Sequence, residues 1–246
     1  MIPIYFLTIL SGVLCVTGEK VPVTVYYESL CPDSRKFFTT QLHPLLQTNL
    51  SKWIDLTLVP YGKSNQTQVS PEQWEFTCHH GPYECHGNKI HGCALNVIEK
   101  SAKTPDGYGF NPITLDFLNC LMNATTKGMN PDDGSDKYVF PIDDCARDNS
   151  VPNYMWIENC VNHIDGSKYL AALGDQTVKF QSPLLSVPTI VFNNRYSKQE
   201  SNDAFKSFGQ ILCKHIATPP EECHNRALIL NASFLLVALT FGKFLL

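Results

Sequence analysis

Hydrophobic and polar residues alternate in two short stretches near the start of the chain. Residues 23–28 and residues 54–59 place an apolar side chain at every second position, which is the period of a β-strand. Between them, apolar residues return at helical spacing from Phe38 to Asn49, and Pro44 predicts a kink in that helix. A strand, a helix and a second strand in this order predict a parallel strand pair joined by a right-handed crossover.

Helical spacing dominates the middle of the chain. Apolar positions repeat with this spacing in residues 90–102, 113–124 and 154–161, whereas residues 63–69 are polar and predict a loop. Residues 127–136 are rich in Gly, Asn, Asp and Pro, which predicts turns. Six of the cysteines also fall in this middle region. It therefore predicts a helical insertion stapled by disulfides rather than more sheet.

Sheet character returns towards the C-terminal end. Residues 186–193 are rich in β-branched residues, and Pro188 is tolerated at the first position of a strand or as a cis peptide bond. The two asparagines at 193–194 predict a tight turn. A last helix follows, with Ser201 or Asn202 as its N-cap. The whole pattern predicts the α/β class.

Both ends of the chain are apolar. Residues 1–18 form a hydrophobic run that ends in Val-Thr-Gly, which resembles the cleavage site of a secretory signal peptide. Residues 227–246 form a second hydrophobic stretch, for which three interpretations stay open: a membrane span, a cleaved signal for a glycolipid anchor, or a propeptide. We therefore expect one folded domain over residues 19–226, with the insertion at about residues 71–165.

The composition is that of a protein with a substantial core. Of 246 residues, 43% are hydrophobic and 17% are charged, and the formal net charge is −4. This charge argues against a nucleic-acid partner, which requires a basic face. Acceptor sequons at Asn49, Asn65, Asn123 and Asn231, combined with the N-terminal leader, predict a glycoprotein of the secretory pathway.

The number of cysteines is odd once the leader is removed. Ten occur in the full sequence, and Cys15 leaves with residues 1–18. In an oxidising compartment an odd count means one free thiol or one intermolecular bond, while the others pair. Their connectivity stays open, although Cys213 and Cys223 are close enough in sequence to pair across the turn after the last helix. The eight cysteines expected to pair are Cys78, Cys85, Cys93, Cys120, Cys145, Cys160, Cys213 and Cys223.

Cys31 is the cysteine that we expect to remain free. It follows the first strand and stands where the next helix begins, and Pro32 suits the first helical position because its missing N–H needs no partner there. A helix N-terminus carries a partial positive charge, which favours the thiolate form of a cysteine. Cys31 is therefore the candidate nucleophile. A packing role or half of a disulfide is the alternative.

Cysteines and histidines are dense in residues 78–93. Three thiols and four imidazoles suggest zinc, but their spacing matches neither paired CxxC nor an HxxxH repeat, and cysteines of secreted proteins more often pair with one another. We therefore expect no metal and no other cofactor. The pattern C-H-H-G-x-x-E-C-x-x-N-x-x-x-x-C closely resembles the motif of the gamma-interferon-inducible lysosomal thiol reductases, with His79 in place of Gln.

This resemblance covers most of residues 21–223 and implies a thioredoxin-like fold with a helical insertion. Members of the family reduce protein disulfides in acidic endocytic compartments. The resemblance therefore implies an enzyme that acts on disulfide-containing proteins, with a low-molecular-weight thiol such as glutathione or cysteine as reductant. It also implies a cis-proline at Pro188, beside the active-site loop. The expected location is the lysosome, the endosome or the extracellular space, and membrane attachment through the C-terminal tail stays open.

Ser34 departs from the usual pattern of the family. The family site is commonly C-x-x-C, in which the second cysteine resolves the mixed disulfide formed by the first. Serine cannot do so, although its hydroxyl can donate a hydrogen bond to the Cys31 thiolate, and C-x-x-S relatives occur among invertebrates. We therefore expect turnover to need an external thiol. A non-catalytic binding protein on the same scaffold is the alternative function.

Overall fold

The computed structural model describes residues 19–131 and 134–224. The predictions for the leader, for Asn231 and for residues 227–246 lie outside these ranges. The strands are β1 (Val21–Tyr27), β2 (Ile54–Pro60), β3 (Asn65–Ser70), β4 (Gln73–Thr77), β5 (Thr126–Met129), β6 (Asp136–Val139) and β7 (Thr189–Phe192). The helices are α1 (Pro32–Phe37), α2 (His43–Leu46), α3 (Pro82–Ser101), α4 (Pro112–Ala124), α5 (Ile142–Asp148), α6 (Met155–Asn162), α7 (Ile164–Phe180) and α8 (Lys198–His215).

A three-stranded sheet in the order β2-β1-β7 forms the centre of the fold. Strands β1 and β2 are parallel, with Val21 opposite Ile54, and β7 runs antiparallel to β1, with Val23 opposite Phe192. The predicted parallel pair and the α/β class are confirmed. The β1–α1–β2 unit followed by the antiparallel β7 gives the chain its thioredoxin-like character.

The C-terminal half of β1 is buried on both faces, which the alternating pattern did not predict. Tyr26 belongs to a small second cluster with Val59, Leu184 and Val191, whereas the other face of β1 joins the main core. Glu28, which the alternation assigned to the polar face, has no exposed surface. A strand covered on both faces does not show a clean apolar–polar period.

The disturbance predicted at Pro44 takes the form of a wide helical turn. Residues Phe38–Leu42 adopt a π-helical conformation between α1 and α2, immediately before the proline. Proline has no N–H for the helical hydrogen bond and its ring crowds the preceding turn, so the helix widens there instead of ending. The segment from Pro32 to Leu46 thus stays helical throughout and spans the connection towards β2.

The region between β2 and β7 is mainly helical, as predicted, but it also contains two hairpins. Residues 63–69, predicted as a loop, include most of β3, which pairs with β4. Residues 127–136, predicted as turns, include most of β5, which pairs with β6. Helices α5 and α7 were not predicted. Among the described residues, no helix is long and apolar enough to cross a membrane.

Disulfides hold this middle region and the end of the chain together. The bond Cys93–Cys160 joins α3 to α6, and Cys120–Cys145 joins α4 to α5. The other two bonds are local, Cys78–Cys85 at the start of α3 and Cys213–Cys223 after α8. Cys31 is the one free cysteine of the described residues.

The C-terminal part follows the predicted order of elements with one correction. The two asparagines after β7 have positive φ angles of 51° and 57°, as a tight hairpin turn requires. Helix α8 is capped by Ser197, whose side chain accepts a hydrogen bond from Glu200 N, rather than by Ser201 or Asn202. Ser201 lies inside the helix, where its hydroxyl accepts a hydrogen bond from Ile190 N in β7.

Candidate active site

Cys31 lies at the N-terminal end of α1, directly after the loop that leaves β1. It is the N-cap residue, with an extended backbone (φ −63°, ψ 122°), and its carbonyl accepts a hydrogen bond from Arg35 N at 3.0 Å. Pro32 occupies the first helical turn, as its lack of an N–H allows. Only 7% of Cys31 is exposed.

The structure brings the segment before β7 next to this thiol. The peptide bond between Val187 and Pro188 is cis, and Cys31 Sγ lies 4.0 Å from the carbonyl oxygen of Val187. Pro188 itself is buried, whereas Leu185, on the same loop, is 67% exposed. Because β7 pairs with β1, Cys31 and Pro188, far apart in sequence, meet at one end of the central sheet.

Ser34 is fully buried, one turn into α1. Its hydroxyl oxygen accepts a hydrogen bond from Glu28 N at 3.3 Å. Among the described residues, the Ser34 side chain forms this hydrogen bond and none with the Cys31 thiol. The bond connects α1 to the loop that follows β1. Accepting this bond leaves the hydroxyl hydrogen free to be donated.

The motif residues of α3 hold the loop that precedes Cys31. Ser29 N donates to Asn88 Oδ1 at 2.9 Å, and Ser29 Oγ donates to the carbonyl of Glu84 at 3.3 Å. Gly87 allows the close approach, because a Cβ atom there would lie 2.4 Å from Ser29 Oγ. The motif therefore positions the active-site loop, which is a role that its spacing alone did not reveal.

Two buried carboxylates lie beside this loop, and sequence reasoning gave neither a role. Glu28 and Glu84 have no exposed surface. Glu28 Oε1 accepts from Lys63 N at 2.8 Å, and Glu84 Oε1 accepts from His80 N at 2.9 Å. Burial raises the pKa of Glu84, the nearby Glu28 carboxylate raises it further, and His80 opposes both effects. Glu84 belongs to the motif and could have been found from it, but Glu28 carried no signal.

His79 and His80 cover these carboxylates from the solvent side. The Nδ1 atoms of both rings lie 3.3 Å from Glu28 Oε2, and His80 Nδ1 also lies 2.6 Å from Glu84 Oε2. The side chain of His79 is 46% exposed and that of His80 is 30% exposed. The cysteines of this region are paired in disulfides, so the two histidines and Glu28 are the side chains here that could hold a metal.

Arg35 fixes the active-site helix to the end of α4. Its guanidinium group donates to the carbonyl oxygens of Met122 at 2.6 Å and Thr125 at 2.9 Å. A cation is favourable at a helix C-terminus, where carbonyl groups lack helical partners. Burial lowers the pKa of Arg35. This contact sets the direction of α1 and with it the position of Cys31.

A second buried pair lies behind the site. The hydroxyl of Tyr27, the last residue of β1, is 3.1 Å from Nδ1 of His91 in α3. Burial lowers the pKa of His91 to about 3 and raises that of Tyr27 well above its ordinary value. His91 is thus a neutral ring in the folded protein over most of the acidic range.

The described sequons lie on the surface. Asn49, Asn65 and Asn123 are exposed, and the side-chain amide of Asn49 donates to Glu222 at 3.0 Å. Glycosylation of these residues stays a prediction.

Comparison with known proteins identifies a single family. A family model described as gamma interferon inducible lysosomal thiol reductase (GILT) matches residues 22–147. GILT-like protein 1 of Drosophila melanogaster is 41% identical over 214 residues, covering 86% of this chain and 82% of its own. The lysosomal thiol reductase-like protein of Anopheles gambiae is 41% identical over 212 residues, covering 86% and 83%.

More distant proteins are also similar. The gamma-interferon-inducible lysosomal thiol reductase of Carassius auratus is 28% identical over 208 residues, covering 82% of this chain and 72% of its own. The crystal structure of Chlamydia trachomatis DsbA has a TM-score of 0.45 and 14% identity, covering 76% of this chain and 84% of its own. On the family match and the 41% identity of the two insect proteins, the chain belongs to the gamma-interferon-inducible lysosomal thiol reductase family and, with it, to the thiol–disulfide oxidoreductases.

Proposed function

We propose that this protein exchanges protein disulfides through one nucleophilic cysteine, Cys31, and needs an external thiol to complete each turnover. The observation that carries the proposal is the isolation of Cys31: it is the free cysteine at the N-terminal end of α1, next to the cis-proline Pro188, while the other eight described cysteines are paired. Such a thiol is available for exchange with a substrate and has no partner of its own at position 34.

The reaction proceeds in three exchange steps. The Cys31 thiolate attacks one sulfur of a substrate disulfide, so that a Cys31–substrate disulfide forms, the original S–S bond breaks and the other substrate sulfur leaves as a thiolate. A small thiol such as glutathione or cysteine then attacks the Cys31 sulfur of this mixed disulfide, so that the second substrate sulfur leaves as a thiolate and Cys31 becomes joined to the small thiol. A second molecule of the same thiol attacks the sulfur of the bound small thiol, which releases the Cys31 thiolate and the disulfide of the two small thiols. The net change is one substrate disulfide reduced and two small thiols oxidised to one disulfide.

The site offers specific supports for the first step. Cys31 stands at the positive end of α1, where a thiolate is favoured. The Val187 carbonyl beside the thiol and the exposed Leu185 on the same loop provide a polar and an apolar contact for an extended substrate segment. Ser34 can donate a hydrogen bond to the thiolate while its oxygen accepts from Glu28 N.

The cellular setting belongs to the same proposal. We propose a glycosylated protein of the endo-lysosomal or extracellular space, with a mature domain over residues 19–226 and a helical insertion at about residues 71–165. The name of the Carassius auratus relative describes a lysosomal protein, which supports this route. For residues 227–246 the alternatives are a membrane attachment and a propeptide. Peptide mapping of the mature protein tests whether these residues are retained.

One observation favours a second candidate, a binding protein that has lost catalysis. Cys31 is 7% exposed, and the family's resolving position holds serine. In that case Cys31 serves packing, and the surface near Leu185 binds a partner without chemistry. The two functions differ in the reactivity of Cys31 and in turnover.

Three variants of the mature protein decide between them. With excess glutathione, wild-type protein is expected to reduce a fluorescently labelled disulfide substrate, Cys31→Ser to lose that activity, and Ser34→Cys to need less external thiol because it can resolve the mixed disulfide itself. Lys206→Ala, a change distant in sequence from the active-site segments, is the matched control and should leave the rate unchanged. Wild-type activity equal to that of Cys31→Ser would refute the proposal and favour the binding protein.

Chemical labelling gives an independent check. Iodoacetamide at pH 5 and at pH 7, followed by peptide mass spectrometry, should label Cys31 and leave the eight disulfide cysteines unmodified. The reference is an unfolded peptide with the sequence around Cys31. If Cys31 in the protein is labelled more slowly than this peptide at both pH values, its assignment as an activated nucleophile is wrong.

A further inference from the structure

Two buried carboxylates beside the active-site loop have histidines as their ion-pair partners. Glu28 and Glu84 are both fully buried, and in residues 19–131 and 134–224 neither of them forms an ion pair with a lysine or an arginine. Their ion-pair partners are His79 and His80. Buried carboxylates need a positive partner, because desolvation of an unpaired charge is costly. Unless a proton neutralises one of the two carboxylates, that partner is an imidazolium or a bound cation.

The arrangement of these side chains has the dimensions of a metal site. Glu28 Oε2 lies 3.3 Å from Nδ1 of His79 and 3.3 Å from Nδ1 of His80. Ligand atoms bonded to a tetrahedral Zn²⁺ at about 2.0–2.2 Å are themselves about 3.3–3.6 Å apart. One ligand atom from each of the three residues lies within 4.8 Å of the other two. The same 3.3 Å is long for a charge-assisted hydrogen bond, which is about 2.7–2.9 Å.

We propose that Glu28, His79 and His80 form a binding site for Zn²⁺. Two imidazoles and one carboxylate are a common zinc ligand set, and they leave a fourth position for water. Binding of the ion at His80 Nδ1 displaces the hydrogen on that atom, and Glu84 Oε1 keeps its hydrogen bond from His80 N. The partly exposed rings of His79 and His80 provide the path from solvent.

The scaffold around the three ligands is rigid. Glu28 is held by the hydrogen bond from Lys63 N and by the close approach of Gly62, where a Cβ atom would lie 2.1 Å from Glu28 Cγ. His79 and His80 follow Cys78, which is tied to Cys85 in α3. Only small ring movements are therefore needed to admit the ion. The prediction of no metal was based on the spacing of cysteines and histidines in residues 78–93, a stretch that does not include Glu28.

The proposed zinc site does not depend on the proposed catalytic role of Cys31, and zinc binding is therefore tested in a protein without this thiol. Zn²⁺ binding is measured by isothermal titration at neutral pH on untagged mature protein carrying Cys31→Ser, so that the free thiol contributes no ligand. We expect one Zn²⁺ per chain. His79→Gln, which introduces the residue of the family motif, and His80→Gln should each weaken binding by more than about tenfold.

The control is His163→Gln, which removes an exposed histidine that faces Asp165 instead of a buried carboxylate. It should bind Zn²⁺ like the parent protein. Absence of saturable binding, or equal affinity in His79→Gln and the control, would overturn the site. Because Glu28→Gln risks misfolding, the role of Glu28 is tested by anomalous diffraction from Zn²⁺-soaked crystals. A peak bonded to Glu28 and both histidines supports the proposal, and a peak elsewhere refutes it.

Discussion

His91 makes the folded protein sensitive to acid, and replacing it should remove part of that sensitivity. The ring is 1% exposed and contacts the Tyr27 hydroxyl through Nδ1 at 3.1 Å. Burial lowers the pKa of His91 to about 3 in the folded protein. In the unfolded chain, a histidine has an ordinary pKa of about 6.5. Asparagine is the replacement of choice, because its side-chain amide offers both a donor and an acceptor for a hydrogen bond with the Tyr27 hydroxyl.

The sign of the effect follows from proton binding. Between pH 6.5 and pH 3 the unfolded chain binds a proton at His91 and the folded protein does not, so the free energy of unfolding falls as the pH falls. The stability that neutral His91 contributes is complete above about pH 6.5. At pH 5, about 1.5 units below the pKa of an unfolded histidine, the unfolding free energy falls by about 2 kcal/mol. This is a large share of the stability of a typical domain.

Urea unfolding at pH 7, 6 and 5, followed by tryptophan fluorescence with the disulfides intact, measures this loss. Between pH 7 and pH 5 the wild-type protein should lose about 2 kcal/mol more unfolding free energy than His91→Asn. His163→Asn is the matched control, because that side chain is 69% exposed and its removal should change the pH dependence little. Equal pH dependence in wild type and His91→Asn would refute the reasoning.

Further predictions concern the backbone around the site and are checked by the same unfolding assay. Gly62→Ala should destabilise by more than about 2 kcal/mol, because Gly62 has a φ of 62° and a Cβ atom would overlap Glu28. Asn88→Ala should cost about 1–3 kcal/mol by leaving the N–H of Ser29 unpaired, and it should also change the alkylation rate of Cys31. Ser197→Ala should cost about 1 kcal/mol through loss of the α8 cap. Wild-type stability in any of these variants would contradict the contact concerned.

The central sheet could be predicted because its strands carry the pattern that burial imposes. The alternation in β1 and β2 predicted the two strands, and the strand–helix–strand order predicted their parallel pairing correctly. The β3–β4 and β5–β6 hairpins could not be found in this way, because they lie at the surface with mostly exposed side chains and have no apolar period.

Helix α7 escaped prediction for a different reason. Its buried face includes Gly166, Gly174 and Ala171, which carry little hydrophobic signal, and glycine is a poor helix former. The structure explains the glycines by close packing, since a Cβ atom at 174 would lie 2.7 Å from the ring of Tyr61. Packing of small residues is decided by tertiary contacts, which a local pattern does not contain.

Some residues of the candidate site could be predicted from the sequence and others could not. Cys31 could be selected from sequence because it is the odd cysteine and stands at a predicted helix start, and Pro188 because the resemblance to the family implies a cis-proline there. Glu28 could not, because in an alternating strand it is expected to face solvent. Its burial results from the covering of that face by the segment at His79 and His80 and by the Gly62 turn.

The burial of two disulfides near the site is consistent with the proposed reaction with small thiols. Thiol–disulfide exchange requires access of the attacking thiolate to sulfur, and the cysteines of the Cys78–Cys85 and Cys93–Cys160 bonds are all at most 9% exposed. These bonds flank the part of α3 that holds the loop before Cys31, so the scaffold of the site is shielded from the small thiol of the proposed reaction. The Cys213–Cys223 bond is partly exposed, but it ties only the residues after α8. Its opening would leave the contacts around Cys31 in place.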